Sequence, residues 1–124
     1  MKILIIDDSS VARRTIGLTV EALGYDVLEA PNGKDGLDLL ANNVDQISLV
    51  LLDWNMPGMT GLEVLQEIRK NTKYEAIPVM MVTTEMERAN MIAAVKAGAK
   101  HYVTKPFTPE SLSIRIMQCL GVAE

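Results

Sequence analysis

Four short apolar stretches of this 124-residue chain each end in side chains that can do chemistry. Asp7-Asp8 follow KILII, Asp53 follows SLVLL, Thr83-Thr84 follow PVMMV, and Lys105 follows HYVT. Such stretches are typical of strands buried in a parallel sheet. The carboxyl ends of parallel strands meet at one edge, where open α/β sheets hold their ligands. The sequence therefore predicts three carboxylates, two hydroxyls and one ammonium group in one cleft.

These groups favour phosphoryl chemistry assisted by a metal ion. Three adjacent carboxylates repel one another unless a cation neutralises them. Mg²⁺ suits one or two carboxylates plus waters, so we expect it here. With a cation bound, Asp53 could attack a phosphoryl group, because carboxylates form acyl phosphates. Lys105 and the Thr83 hydroxyl, with backbone N–H groups near Thr84, would hold the transferred oxygens.

Each of these residues also has a structural interpretation. Asp7-Asp8 could be favourable charges at a helix N-terminus, although two adjacent aspartates that face a third favour a metal. Thr83 taken alone is more typical of a core hydroxyl. Lys105 could be a surface lysine, but its place before Pro106 at a strand end favours function. The single histidine, His101, is assigned no role.

Hydrophobic periodicity predicts five strands that alternate with five helices. The first helix lies between the capping pair Ser9-Ser10 and Gly24, and the last follows Thr108, with Pro109 in its first turn, and ends near Leu120. The predicted strands are Lys2–Ile6, Asp26–Ala30, Ser48–Leu52, Pro78–Val82 and His101–Thr104, and the other helices are Lys34–Ala41, Thr60–Lys70 and Met86–Ala97.

This alternation predicts an α/β fold, a doubly wound parallel sheet of five strands in one domain that spans residues 1–124. The net charge is −4, and the Arg13-Arg14 pair is too small for a nucleic-acid footprint, so we expect no nucleic-acid partner. One cysteine excludes an internal disulfide. No stretch reaches membrane-spanning length and the N-terminal apolar run is too short for a signal peptide, so we expect a cytoplasmic protein without a membrane partner.

The set Asp7-Asp8, Asp53, Thr83 and Lys105-Pro106 resembles the receiver domain of two-component response regulators. The resemblance covers the whole chain, and the combination is specific although each motif alone is weak. DWNMPGMTG, MVTTE and YVTKPF are especially similar to the single-domain chemotaxis regulators of that family. The resemblance implies the strand order 2-1-3-4-5, no output domain, and a monomeric signalling protein rather than an enzyme.

The resemblance also implies a role for each site residue. Asp53 would accept a phosphoryl group from a histidine kinase, and Lys105 would pair with that group. Asp8, Asp53 and the backbone carbonyl of Asn55 would bind Mg²⁺, with Asp7 acting mainly through water. The peptide bond before Pro106 would be cis, an uncommon isomer.

A switch and a partner surface are implied as well. Phosphorylation would draw the Thr83 hydroxyl inwards, and the Tyr102 ring would turn into the vacated space. The phosphorylated form would bind a downstream protein such as the flagellar motor switch. A phosphatase could remove the phosphoryl group and return the protein to its resting state. The expected partner face lies on the fourth helix, last strand and fifth helix, with these candidates: Met91, Val95, Tyr102, Phe107 and Arg115.

Three positions bear on the lifetime of the acyl phosphate. Asn55 and Glu85 match the chemotaxis regulators at positions that tune this lifetime, which suggests rapid self-dephosphorylation. Thr84 departs from the alanine or glycine frequent in the family, and its bulk could restrict access of water.

Three other interpretations remain open from sequence alone. A stand-alone phosphorelay intermediate, passing its phosphoryl group to another histidine, would carry the same motifs. A receiver cut from a longer regulator would also look the same. A phosphatase of the haloacid-dehalogenase type ranks far lower, because that class places two aspartates one residue apart at the end of the first strand, whereas Asp7 and Asp8 are adjacent.

Overall fold

A computed structural model of the protein describes residues 1–122. Its centre is a parallel sheet in the order β2-β1-β3-β4-β5, with Ile6 level with both Ala30 and Leu52 at the carboxyl edge. The predicted fold class and strand order are confirmed. The elements are β1 Lys2–Ile6, α1 Ser10–Ala22, β2 Asp26–Ala30, α2 Gly33–Asn42, β3 Ile47–Leu52, α3 Gly61–Lys70, β4 Val79–Thr83, α4 Arg88–Lys96, β5 His101–Thr104 and α5 Pro109–Leu120.

The helices begin where side chains can satisfy their free N–H groups. The Ser9 hydroxyl accepts from the Ala12 N–H at the start of α1, and Thr108 and Ser111 exchange hydrogen bonds at the start of α5. Pro109 occupies the first turn of α5, and Gly121 ends that helix in the left-handed conformation at φ 72°, as the sequence predicts.

The sheet has one hydrophobic core on each face. Ile16 and Val20 of α1 and Leu112 and Ile116 of α5 pack on one face, while α2, α3 and α4 cover the other, with Leu65 at its centre. The three central strands, β1, β3 and β4, are almost entirely apolar because both of their faces are buried. None of the described helices is long and apolar enough to cross a membrane.

Several element boundaries differ from those predicted. Helix α4 begins at Arg88, two residues later than expected, because Met86 and Glu87 still belong to the preceding loop. Helix α2 begins at Gly33, since the Asn32 side chain caps it by accepting from the Asp35 N–H at 2.8 Å. A short 3₁₀ helix, Thr72–Tyr74, was not predicted.

Gly61 lets α3 start directly beneath the candidate site. Its N–H donates to the Trp54 carbonyl oxygen at 2.8 Å. A methyl group at this position would overlap the backbone carbonyl oxygen of Asp53. Only glycine allows the helix so close to the loop that follows β3.

Candidate functional site

The carboxyl edge of the sheet brings the predicted carboxylates together. One carboxylate oxygen from each of Asp7, Asp8 and Asp53 lies within 4.8 Å of the others. Asp7 and Asp53 are buried, whereas Asp8 is exposed. The three charges share one cleft because β1 and β3 are neighbours in the sheet and end level with each other.

Asp7 is held at every polar atom. Its N–H donates to the Ala30 carbonyl at 3.1 Å, and its own carbonyl accepts from Arg13 Nη1 at 2.6 Å. Oδ1 accepts from the Ser9 N–H at 2.9 Å, and Oδ2 accepts from Lys105 Nζ at 2.7 Å. Both carboxylate oxygens are therefore already occupied by protein donors.

Asp53 is less completely paired. Its Oδ1 accepts a long hydrogen bond of 3.3 Å from the Asn55 N–H, and its Oδ2 lies 3.7 Å from Lys105 Nζ. Burial raises the pKa of this carboxyl, and the Asp7 charge adds to the rise, while hydrogen bonding from Thr83 and the charge of Lys105 oppose it. The loss of hydration destabilises the Asp53 carboxylate more than its hydrogen bonds and the Lys105 charge stabilise it.

Among the described residues, Lys105 supplies the only ammonium group that contacts the cluster of Asp7, Asp8 and Asp53. It contacts Asp7 more closely than Asp53. The backbone N–H of Lys105 donates to the Thr83 carbonyl at 2.9 Å and so connects the end of β5 to the end of β4. The Lys105-Pro106 peptide bond is cis, so that prediction is confirmed.

The residues after β4 connect the cleft to Tyr102. Thr83 is fully buried, and its hydroxyl accepts from the Glu85 N–H at 3.2 Å. The Tyr102 hydroxyl donates to the Glu85 carbonyl at 2.7 Å. Burial, and next the Glu85 charge, raise the pKa of Tyr102 to about 12. Thr84 is exposed, and its hydroxyl accepts from Asn55 Nδ2 at 3.4 Å.

The donor set of the cleft fits a hard divalent cation. All its ligands are oxygens, and Mg²⁺ prefers oxygen ligands with one or two carboxylates. Three carboxylates face one ammonium group, so negative charge remains in excess. Asp8 and Asp53 retain acceptor capacity, whereas the oxygens of Asp7 are already bonded.

The five predicted partner-face residues line two hollows that share Tyr102. Met91 and Val95 lie in the hollow along α4, and Phe107 and Arg115 lie in the hollow along α5. Val95 is 59% exposed. The structure thus places these residues on one continuous surface.

Sequence reasoning missed Arg13. In the sequence it is only one half of the basic pair Arg13-Arg14, yet its guanidinium contacts the backbone of Asp7 and the Glu29 carboxylate. One signal was present: Arg13 lies one helical turn after Ser9, the residue that caps the helix beside the site.

The family model described as the response regulator receiver domain matches residues 3–117. The chain therefore belongs to the response regulator receiver domain family, whose members are signalling proteins. It is 48% identical over 122 residues to a protein named chemotaxis protein CheY homolog from Campylobacter jejuni, covering 98% of this chain and 93% of that protein. It is 43% identical to chemotaxis protein CheY1 of Helicobacter pylori, covering 98% of each.

The fold is also similar to solved structures. Chemotaxis protein CheY4 of Vibrio cholerae superposes with a TM-score of 0.89 at 31% identity, covering 96% of this chain and 98% of that one. A receiver domain protein from Clostridium thermocellum gives a TM-score of 0.87 at 36% identity, with 97% and 94% coverage.

Proposed function

We propose that this protein is a phosphorylation-activated switch in which Asp53 accepts a phosphoryl group from a phosphohistidine of a histidine kinase. The observation that carries the proposal is the meeting of Asp7, Asp8 and Asp53 within 4.8 Å at the sheet edge, beside Lys105. Asp53 is the acceptor because it lies deepest among the carboxylates whose oxygens are not fully bonded.

The metal ligands are Asp8, Asp53 and the backbone carbonyl of Asn55, with Asp7 acting through water. Bound Mg²⁺ would neutralise charge on the transferred phosphoryl oxygens. Asp7 has a second role, because its Oδ2 holds the Lys105 ammonium group at the mouth of the cleft. Burial raises the pKa of Asp53, and the Lys105 charge opposes that rise in part.

In the transfer step, an Asp53 carboxylate oxygen forms a bond to phosphorus. The bond from phosphorus to the imidazole nitrogen of the donor breaks, and the nitrogen keeps its electron pair and takes a proton from water. Lys105, the Thr83 hydroxyl and the N–H groups near Thr84 hold the phosphoryl oxygens. No redox change occurs, and the product is an acyl phosphate on Asp53.

The switch consists of Thr83 and Tyr102. Thr83 Oγ1 and the Tyr102 hydroxyl both bond to Glu85, one to its N–H and the other to its carbonyl. A phosphoryl group that recruits the Thr83 hydroxyl therefore changes the bonding of the residue that holds Tyr102. The two-state element is the loop before α4 together with the Tyr102 ring.

The readout is a protein that docks on the partner face along α4, β5 and α5. The named relatives are chemotaxis proteins, which supports chemotaxis, with the flagellar motor switch as a target. The chain covers 93 to 98% of their lengths.

Acetyl phosphate with Mg²⁺ tests the proposal without a partner protein. We expect intact mass spectrometry to show one added phosphoryl group on the wild type and on Asp38→Asn, which removes an exposed carboxylate of α2. Asp53→Asn should show none, and neither should the wild type with EDTA. A phosphoryl group on the Asp53→Asn variant would refute the assignment.

The phosphorelay alternative is tested with the same phosphorylated protein. Transfer of the group to a histidine phosphotransfer protein, faster than hydrolysis, would favour the relay. Loss of the group to water alone fits a switch that ends its own signal.

A further inference from the structure

Arg13 bridges three elements beside the carboxylate cluster. Its Nη1 donates to the Asp7 carbonyl oxygen at 2.6 Å, and its Nε pairs with Glu29 Oε1 at 3.0 Å. The Arg13 side chain is only 16% exposed. One guanidinium group from α1 thus joins the residue that follows β1 to the penultimate residue of β2, Glu29.

The contact on Asp7 bears on Asp8. The Asp7 carbonyl belongs to the planar peptide unit that joins the two residues. A short charge-assisted hydrogen bond to that oxygen therefore fixes the direction in which the Asp8 backbone leaves the sheet. Among residues 1–122 the exposed Asp8 carboxylate accepts no hydrogen bond, so the restraint on its position comes from the backbone from which it projects.

The stability of α1 does not account for an arginine at position 13. A cation near a helix N-terminus is opposed by the helix dipole, and α1 has no acidic residue in its first turn. Arg14 follows directly and is exposed, and within the described chain it makes no hydrogen bond or ion pair. The two arginines share one charge and one helix but differ in their contacts.

We propose that Arg13 is a positioning residue for the metal site, and that Glu29 anchors it. Arg13 holds the Asp7-Asp8 peptide unit so that the Asp8 carboxylate meets Asp53 at cation-binding distance. Glu29 orients the guanidinium plane, which leaves Nη1 directed at the Asp7 carbonyl. This inference depends on the Mg²⁺ site described under Proposed function.

Charge and geometry predict opposite signs for the loss of Arg13. A positive charge beside a cation site weakens cation binding, so removing it would tighten Mg²⁺ binding if charge alone mattered. Loss of a group that orients a metal ligand weakens binding, by about tenfold in typical sites. The sign of the change therefore separates the two effects.

The experiment is a calorimetric and Trp54-fluorescence titration of Mg²⁺ into the phosphate-free protein and its variants at about 0.15 M salt. Arg13→Gln should raise the dissociation constant about tenfold, whereas Arg14→Gln, the matched control, should stay within about twofold of the wild type. Glu29→Gln should weaken binding less than Arg13→Gln does. Arg13→Lys keeps the charge but cannot form both contacts, so it should fall between wild type and Arg13→Gln.

Urea denaturation in EDTA, performed on each variant, confirms that the titrations are made on folded protein. If Arg13→Gln is too unstable, Arg13→Lys gives the same test, because it keeps the charge and changes only the contacts. Unchanged or tighter binding by the folded Arg13 variants would overturn this inference while leaving the Mg²⁺ site intact. No Mg²⁺ binding by the wild type would overturn both proposals.

Discussion

Helices α3 and α4 follow neighbouring strands of one sheet, yet they are held very differently. Thr60 and Glu63 form a capping box at the start of α3, and an acid in the first turn and bases in the last turn match its dipole. Glu87 precedes α4 without a side-chain cap in the described structure, and Arg88 places a cation in its first turn.

Burial differs in the same direction. Four residues of α3 are buried, Leu65 and Ile68 completely. In α4 only Ala94 is buried, while Ile92 and Val95 are 44% and 59% exposed. Elements with few buried apolar groups open at low free energy. Helix α3 is thus firmly attached to the sheet, whereas α4 is the helix that should open at lower free energy.

The largest expected effect is in the packing of the two helices. Leu65→Ala should lower the free energy of unfolding by about 3 kcal/mol, because it leaves a cavity in a closed core. Ile92→Ala should change it by less than about 0.5 kcal/mol, because that side chain is half in water. Urea denaturation of both variants measures the contrast. Equal losses would show that α4 is as tightly packed as α3.

The next largest effect is at the helix starts. Thr60→Ala removes the hydroxyl that accepts from the Glu63 N–H, while the backbone N–H of residue 60 can still donate to the Glu63 carboxylate, and it should cost about 1 kcal/mol. Glu87→Ser introduces a capping hydroxyl at α4 and should stabilise the protein by about 0.5 kcal/mol. Glu87→Ala is the matched control, which removes the carboxylate without adding a cap. A gain from Glu87→Ala as large as that from Glu87→Ser would assign the effect to charge.

The same contrast explains which elements the sequence predicts well. The boundaries of α3 follow from Leu62, Leu65 and Ile68 three residues apart and from the capping signal at Thr60. The start of α4 was placed two residues early because no capping residue marks it and its apolar positions do not define one buried face. Sequence patterns report buried faces and caps, so an exposed, uncapped helix is the hardest to delimit.

Some contacts of the candidate site could likewise be predicted from sequence and others could not. Five site residues could be brought together from sequence, because parallel strands end at one edge and each residue ends or follows a strand: Asp7, Asp8, Asp53, Thr83 and Lys105. The contact of Arg13 with the Asp7 carbonyl could not be predicted from sequence. A backbone carbonyl is present at every residue, so no residue type marks the position that Arg13 binds. The bonds of Thr83 and Tyr102 to Glu85 were also beyond sequence, because they depend on the path of the loop.

The smallest expected effect is at the bond that ties α4 to β5. Tyr102→Phe removes the hydroxyl that donates to the Glu85 carbonyl, three residues before α4 begins. A half-exposed hydrogen bond of this kind contributes about 0.5 kcal/mol, so the global stability should scarcely change. The local effect should be visible, with amide hydrogen exchange in α4 about twofold faster and that in α3 unchanged.

The Tyr102 variant can be checked by its own titration. Because burial raises the pKa of Tyr102 to about 12, the phenol ionising near that pH should disappear from the ultraviolet absorbance of Tyr102→Phe. Tyr25→Phe is the matched control, since Tyr25 packs against the core formed by α1 and α5, on the opposite face of the sheet from α4. If exchange in α4 is the same in both variants, the Glu85 bond does not restrain the helix. Faster exchange only in Tyr102→Phe would show that the bond from this hydroxyl to the Glu85 carbonyl restrains α4.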